Sequence, residues 1–240
     1  MNIQQQISVF DILQENSKEV RRIRYEDAKP FIMNVHYSRR MPCVTDAFGL
    51  FVNGEIIGVC TYGVPASRPL CIGIAGVENE RNVLELNRLA ILPKYNGGGY
   101  NYASYLVSHS LKMLPSGTFV VSYADTAWTH VGYVYQACNF LYTGLSAKRL
   151  DSYVADGKHP RCYDKNNHST DMQTRSRKHR YIYLVGDKRT KKRMMQQLKY
   201  PVISPYPKGN ESHYDTQNPQ IVEPIVRIVR NRIIDIKQGR

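Results

Sequence analysis

The stretch LELNRLAILPKYNGGGYNYASYLVSHSLKMLPSGTFVVSYAD, residues Leu84–Asp125, decides the fold class of this chain. Its first part, 84–92, alternates apolar with polar residues and predicts a β-strand. A glycine-rich loop at 94–99 comes next, followed by apolar residues at roughly helical spacing over 100–114. The apolar run at 118–124 predicts a second, buried strand. Strand, loop, helix and strand in this order predict an α/β fold.

The segments on either side extend this pattern into a complete domain. Upstream, residues 25–38 read as a helix, and two β-rich runs flank Asn53-Gly54, a dipeptide typical of a type I′ hairpin turn. Downstream, residues 130–137 predict a short helix and residues 140–145 a final strand. We therefore expect a mixed β-sheet flanked by helices over residues 1–146.

The charge of the chain is concentrated after that domain. The 240 residues carry 33 Lys+Arg and 20 Asp+Glu, a formal charge of +13. Between Ala147 and Tyr200 there are 15 Lys+Arg and 5 Asp, so this short part holds +10 of the total. Such asymmetry favours a polyanionic partner, most often nucleic acid, over a merely solubilising surface. We expect residues 147–240 to form a basic extension that contacts DNA and packs on or completes the domain.

Within the extension the secondary-structure signals are weaker. Residues 147–180 are polar and show no clear period, which indicates a long irregular excursion. Residues 181–185 predict a strand and 188–199 a basic helix. Near the end, Ile225, Val229, Ile233 and Ile236 recur at helical spacing and predict a helix.

The composition limits the cellular setting. The chain is 42% hydrophobic and 22% charged, as expected of a soluble folded protein. It has no apolar run of the ~18 residues that a membrane helix needs, and its N-terminus has no secretory pattern. Five scattered cysteines predict reduced thiols. The expected location is the cytoplasm, with no membrane partner; an oligomer is compatible with the sequence.

The glycine loop is the first chemical signal. A helix N-terminus exposes unpaired backbone N–H groups and the positive end of the helix dipole, and glycines let a phosphate approach it closely. No Lys-Ser/Thr pair follows the glycines, so this is not a P-loop. A simple flexible turn is the alternative interpretation.

Four polar clusters lie at predicted element ends, where sites of α/β proteins assemble. They are HYSRRMP at 36–42, YGVPAS at 62–67, ELNR at 85–88 and SYAD at 122–125. Asp125 ends an apolar strand, where a carboxylate is costly unless it is paired or functional; a helix-capping Asp is the alternative interpretation. Glu85 and Arg88 are three residues apart on a strand, which predicts that they face opposite sides.

These motifs carry two nested resemblances. The order of strand, glycine loop, helix, strand and HVGYVYQACNFLYTG resembles the second half of the GNAT acyltransferase fold. A second set of motifs resembles the phage Mom DNA-modification proteins, which are divergent members of that fold. From His36 to Gly144 these motifs are HYSRR-P, Y-G-x-P, E-L-N-R, S-Y-A-D and H-x-G-x-x-Y-Q-A-x-N-F-x-Y-x-G. The resemblance implies a transferase that converts adenine in double-stranded DNA to an N6-(carbamoylmethyl) form, with base flipping, and thereby protects phage DNA from restriction.

The resemblance also implies roles for particular residues. The implied catalytic residues are Asp125, Tyr135, His36, Tyr37 and Ser38, with Asp125 as base and Tyr135 as the acid that protonates a departing thiolate. Glu85 matches the E-L-N-R motif. The implied cofactor-binding residues are Asn96, Gly97, Gly98, Gly99, Ser104 and Arg88. The implied substrate or DNA contacts are Arg39, Arg40, Tyr123, Arg175, Arg177, Lys178 and Arg180.

The donor is the open chemical question. The fold implies acetyl-CoA or another activated acyl or aminoacyl donor, yet simple acyl transfer gives an amide, so the Mom product requires a further step. Iron is a further candidate for this family, with His36, Tyr37 and Asp125 as ligands, although no spacing here matches a known metal motif. Two other functions stay open: a GNAT N-acyltransferase acting on a protein, tRNA or small amine, and a non-catalytic DNA-binding protein.

Overall fold

The computed structural model describes residues 17–96, 99–128, 130–152, 171–209, 225–229 and 232–237. The helices in these residues are α1 (Tyr25–Val35), α2 (Arg68–Ala75), α3 (Tyr102–Lys112), α4 (Tyr133–Ala137) and α5 (Lys188–Gln197). The strands are β1 (Lys18–Arg22), β2 (Asp46–Val52), β3 (Glu55–Gly63), β4 (Val83–Ile91), β5 (Phe119–Asp125), β6 (Leu141–Leu145), β7 (Arg149–Ser152), β8 (Asp171–Arg175), β9 (Lys178–Leu184), β10 (Ile225–Val229) and β11 (Arg232–Lys237). They form a seven-stranded sheet in the order β1-β2-β3-β4-β5-β9-β6 and a four-stranded sheet in the order β11-β10-β8-β7.

The larger sheet is mixed, as the sequence predicts. Strands β1 to β4 pair antiparallel in chain order, whereas β4 and β5 pair parallel. A parallel pair needs a crossover connection, and the segment that contains the glycine loop and α3 provides it. The predicted α/β class, a mixed sheet with helices, is therefore confirmed.

The first hairpin follows directly from its turn residues. Asn53 and Gly54 have φ angles of 52° and 81°, and Val52 pairs with Glu55 across them. Positive φ at both central positions is the requirement of a type I′ turn, which Asn-Gly meets at low cost. The prediction of a hairpin at this position is confirmed.

The described residues divide into two compact units, and the chain passes between them more than once. Unit 1 comprises residues 1–122, 137–139 and 183–200, and unit 2 comprises 123–136, 140–182 and 201–240. Unit 1 has an apolar core that includes Ile32, Leu50, Val59 and Leu106, all fully buried. In unit 2, Phe140, Tyr181 and Ile182 are fully buried. The boundary at residue 146 stays a prediction.

The structure corrects the interpretation of the C-terminal segment. Residues 225–229 and 232–237 are the antiparallel strands β10 and β11, not the predicted helix. The segments IVRIV and RIIDIK are rich in β-branched residues, which favour a pleated surface over a helix. The helical spacing of four isoleucine and valine positions was therefore a weaker signal than residue type.

Part of the predicted irregular stretch also forms strands. Residues 149–152 and 171–175 pair as β7 and β8, while 153–170 lie outside the described residues. Within the part of the chain that the structure describes, no helix is both long and apolar enough to cross a membrane.

Candidate functional site

A β-bulge in β4 organises the polar motifs of unit 1. Thr61 of β3 pairs with Arg88 and the next residue, Tyr62, pairs with Leu86, so Asn87 is an extra residue in β4. An extra residue shifts the alternation of side chains by one position. The bulge lies between Glu85 and Arg88, so it interrupts the regular alternation on which their predicted opposite placement rests.

The same bulge holds the segment that follows α1. The Asn87 side-chain amide donates to the Cys43 carbonyl over 3.0 Å, and its amide oxygen accepts from the Thr61 hydroxyl at 2.6 Å. Arg88 Nε donates to the Arg40 carbonyl over 3.0 Å. The segment packs directly against Gly63, which has no side chain. A Cβ at this position would stand 2.0 Å from the Cys43 carbonyl oxygen. Residues 40–43 are thus fixed onto the end of β3 and the middle of β4.

His36, Tyr37 and Ser38 form a local cluster where α1 ends. His36 is buried, and its Nδ1 accepts the Ser38 backbone N–H at 3.1 Å and lies 2.9 Å from the Ser38 hydroxyl oxygen. The ring of Tyr37 stacks on that of His36 with 4.3 Å between centroids, and Tyr37 remains 39% exposed. The backbone N–H and the hydroxyl of Ser38 orient the imidazole, and the aromatic side chain of Tyr37 is partly accessible from solvent.

Arg88 is a partly buried cation whose surroundings shift its pKa. Burial lowers its pKa, while the Tyr37 and Glu85 charges raise it and Arg40 lowers it further. Its Nη1 donates to the Asn87 carbonyl at 2.6 Å. In the described residues Nη2 makes no hydrogen bond, so it can donate to the carbonyl, carboxylate or phosphate oxygen of a ligand. Arg40 and the exposed Arg39, which has a left-handed φ of 45°, lie in the adjoining segment.

Of the residues predicted to bind a cofactor, Asn96 and Gly97 to Gly99 lie between β4 and α3, whereas Arg88 is in β4 and Ser104 is in the first turn of α3. Asn96 is exposed, Gly99 has a φ of 84° with open space at its Cβ position, and Gly97 and Gly98 lie outside the described residues. The Ser104 hydroxyl donates to the Asn101 carbonyl over 3.0 Å. The side chain of Asn101, the N-cap of α3, makes no capping hydrogen bond. The first N–H groups of this helix can therefore donate hydrogen bonds to an anionic ligand.

In unit 2, Asp125 has partners for both carboxylate oxygens. Oδ1 accepts the Ala127 backbone N–H at 3.0 Å, which begins the 3₁₀ turn Thr126–Trp128. Oδ2 lies 3.1 Å from Nζ of Lys178, and the side chains of Asp125 and Lys178 are 11% and 30% exposed. The structure therefore combines the two sequence interpretations, a capping role and a paired, buried carboxylate.

His130 lies beside this carboxylate, and its backbone N–H donates to the Asp125 carbonyl over 3.2 Å. Burial lowers the pKa of His130 from 6.5 to about 4, although the Asp125 charge opposes this shift. The folded protein thus keeps the imidazole neutral at pH values where the unfolded chain would protonate it.

We expect this histidine to make stability depend on pH. Between its ordinary pKa of 6.5 and about 4, the unfolded state binds more protons than the folded state, so stability rises with pH across this window. The loss from pH 6.5 down to 4 is on the order of 3 kcal/mol. Urea unfolding should show this slope in the wild type and in His109→Gln but not in His130→Gln. An equal slope in all three proteins would exclude His130 as its source.

Tyr135 is part of an aromatic cluster in unit 2. Its ring centroid lies 5.4 Å from those of Phe140 and Tyr181. Gly132, with a φ of 86°, allows the Tyr181 ring to approach, because a Cβ at this position would stand 2.5 Å from the ring. Gln136 donates to the Tyr181 hydroxyl over 3.0 Å, and burial raises the pKa of Tyr181. Tyr135 is thus held by neighbouring rings, consistent with a fixed phenol position.

The predicted DNA contacts of unit 2 have different surroundings. Arg177 donates from Nε to the Ser146 carbonyl at 2.9 Å, and Arg180 binds Thr143, so both brace the unit. Tyr123, on β5, is half-buried. Arg175 instead lines an open cavity of about 400 Å³ together with Lys148 and Arg149. Three cations around one concavity suit an anionic ligand.

Several residues of these clusters were missed by sequence reasoning. Gly63 and Asn87 lie inside quoted motifs, but their role depends on a bulge that no sequence period reveals. The neutral state of His130 follows from burial, which a single histidine in a loop does not indicate. Lys178 was predicted to contact substrate or DNA, and its pairing with Asp125 joins residues far apart in sequence.

The described residues also bear on metal binding. Within the described ranges, no group of three or more His, Cys, Asp and Glu side chains is arranged to hold a metal ion. Cys43, Cys60, Cys71 and Cys138 are free thiols.

These features define a mixed α/β protein whose polar motifs gather at strand ends. The family model of the Mom protein family matches residues 17–208, and the chain belongs to this family. One relative, named methylcarbamoylase mom, of Escherichia phage Mu, is 28% identical over 200 residues, which cover 75% of this chain and 80% of the relative.

Solved structures with a related arrangement are acetyltransferases. A GNAT-family acetyltransferase from Bacillus cereus aligns with a TM-score of 0.41 at 14% identity, covering 72% of this chain and 100% of that one. An N-acetyltransferase from Staphylococcus aureus aligns with a TM-score of 0.43 at 12% identity, covering 71% and 100%.

Proposed function

We propose that this protein is a transferase that attaches a carbamoylmethyl group to N6 of adenine in double-stranded DNA and so protects phage DNA from restriction. Membership of the Mom family over residues 17–208 supports this, together with the relative named a methylcarbamoylase. The structural observation that carries the proposal is the meeting of the 36–42 and 85–88 motifs at the β4 bulge. Polar residues packed so closely are typical of a ligand site rather than of a core.

The reaction requires a base, because the lone pair of the adenine amine is delocalised into the ring. In the proposed step a bond forms between N6 and a carbon of the donor, and the N6 proton passes to Asp125. Lys178, 3.1 Å from the carboxylate, provides a positive charge that holds this side chain in place. Tyr135 supplies a proton to the group that leaves the donor.

The target base must leave the duplex before it can react. Flipping a base costs a few kcal/mol of stacking and pairing, which an aromatic contact in the site offsets. Tyr37 suits this role because its aromatic side chain is 39% exposed and stacks on the His36 ring. The Arg88 guanidinium beside it provides a donor for a carbonyl or phosphate oxygen.

The proposed donor is acetyl-CoA or another activated acyl or aminoacyl carrier, which would supply an electrophilic carbon when bound. Acyl transfer alone would give an amide at N6, so the carbamoylmethyl product would require a further step after the transfer. The residues before α3 fit its phosphate groups, since the helix lacks a side-chain cap and Gly99 leaves open space. Asn96, Gly99 and Ser104 lie at this position.

DNA contact is proposed for the basic part of the chain. Lys148, Arg149 and Arg175 surround one cavity in unit 2, and positive side chains of this kind bind backbone phosphates.

The proposal is tested by mass spectrometry of nucleosides from the DNA of cells that express the protein. We expect an adenosine derivative heavier than deoxyadenosine by one carbamoylmethyl group in place of one hydrogen. Acylated protein, tRNA or small amines with unmodified adenine would favour an N-acyltransferase instead. Duplex binding without any modified nucleoside or amine would indicate a DNA-binding protein. Either result, with folded protein accumulating, would overturn the proposal.

A further inference from the structure

Helix α5 has an exposed cationic face whose side chains do not pair with other described residues. Four of its residues, Lys188, Arg189, Lys192 and Arg193, are exposed. At about 100° per residue they lie within an arc of about 140°, so they share one side of the helix. In the described part of the chain, none of these four side chains forms a hydrogen bond or an ion pair within 4 Å.

The opposite side of α5 packs into unit 1 and fixes the direction of this face. Met194 is 2% exposed. Lys191, which is outside the cationic arc, donates to the Tyr183 hydroxyl over 3.1 Å and lies over the Tyr183 ring at 4.6 Å. The helix is therefore anchored by Met194 and Lys191, while the other four cations point away from the anchored side.

The charge on this face opposes the stability of the helix. The first turn of α5 contains no acidic residue and begins with Lys188 and Arg189, at the end where the helix dipole is already positive. Cations in such a position destabilise the helix start. Like charges four residues apart, Lys188 with Lys192 and Arg189 with Arg193, add further repulsion along the same face.

Asp187, the N-cap of α5, is a carboxylate close to this charge. Its carboxylate accepts the Thr190 backbone N–H at 2.7 Å, and hydrogen bonding with Thr190 is the main reason that its pKa is lowered. The Arg193 charge lowers the pKa of Asp187 further. Asp187 therefore stabilises the helix start and leaves most of the cationic face uncompensated.

We propose that this cationic face of α5 binds the phosphate backbone of duplex DNA. The inference rests on the proposed function for the choice of DNA as polyanion, and it assigns a contact surface in unit 1, separate from the cavity of unit 2. Nucleic-acid interfaces are polar and strongly positive, and phosphate contacts need charge without an apolar centre. A membrane surface would require a continuous exposed apolar face, whereas α5 has only two apolar side chains, of which Met194 is buried and Met195 is exposed.

The experiment measures binding of the full-length protein to a fluorescent mixed-sequence duplex across a range of salt concentrations. Each lost phosphate contact lowers the steepness of log K against log salt by about 0.9. The double variant K188Q/K192Q should therefore reduce the slope by about 2. The quadruple variant that adds R189Q/R193Q should reduce it by about 3 to 4 and weaken binding at least tenfold near 0.15 M salt.

The matched control removes two other exposed helical lysines of unit 1, as K29Q/K112Q. K29Q/K112Q and K188Q/K192Q have the same net charge, so a general charge effect would change the salt slope of both variants equally. Equal slopes for K188Q/K192Q and K29Q/K112Q would overturn the proposal. Unchanged DNA binding with loss of binding to phosphatidylserine vesicles would also overturn it, in favour of a membrane surface. Thermal unfolding should show the α5 variants to be at least as stable as the wild type.

The two proposals fail in different ways. Modified adenine in expressing cells, together with an unchanged salt slope in the α5 variants, would retain the enzyme function and exclude the α5 surface. A reduced salt slope in the α5 variants, with no modified nucleoside from the wild type, would retain the surface and exclude the enzyme function.

Discussion

Asp125→Asn is expected to reduce adenine modification by a factor of about 10²–10⁴, the usual effect of losing a general base. The amide keeps an oxygen that can accept the Ala127 N–H, now bonded at 3.0 Å, so the turn after β5 is preserved. It cannot accept the N6 proton, and it no longer pairs with Lys178. Modified adenine is quantified by nucleoside mass spectrometry, and DNA affinity is expected to stay within a few fold of the wild type.

Lys178→Gln is the matched control for this variant. It breaks the same ion pair, 3.1 Å long in the wild type, but leaves the carboxylate in place. If Asp125 is the base, Lys178→Gln should retain most of the activity that Asp125→Asn loses. Similar losses in both variants, with both proteins folded, would show that Asp125 acts only through the ion pair and would remove it from the chemical step.

Gly63→Ala is expected to destabilise the protein by about 3 kcal/mol or more, at the upper end of the range for overpacking. The new methyl group would stand 2.0 Å from the Cys43 carbonyl oxygen and 2.9 Å from the Asn87 amide nitrogen. The first of these atoms belongs to the backbone, so the whole 40–43 segment must move. Chemical denaturation measures the loss, and activity should fall as well because Arg40 and Tyr37 lie next to the displaced segment.

Gly54→Ala separates crowding from backbone strain. Gly54 has a φ of 81° but no atom within 4 Å of its Cβ position, so alanine there meets only the left-handed strain of ~1–2 kcal/mol. Gly63 has no positive φ, and its substitution is costly only through contact. A Gly63→Ala protein that is as stable as Gly54→Ala would contradict the close packing of the 40–43 segment on β3.

Local signals in the sequence predicted the main elements of the fold. The Asn53-Gly54 hairpin, the strand at 84–92 and the helix after the glycine loop rest on turn chemistry or on a repeating apolar pattern, both encoded within about 15 residues. The C-terminal segment was predicted incorrectly because a few isoleucines fit a helical period by chance, while their β-branched type favoured the strands β10 and β11.

The sequence by itself determined the mixed α/β class, the family resemblance and the concentration of positive charge after residue 146, because all three are carried by residue type and order. Only the tertiary structure decided which polar residues interact. A one-residue bulge in β4 interrupts the alternation between Glu85 and Arg88, and β9 carries Lys178 to Asp125 across 53 positions of the chain. The folded chain also separates the cations that brace unit 2, such as Arg177 and Arg180, from the exposed cationic face of α5, since solvent exposure and pairing are properties of the folded chain.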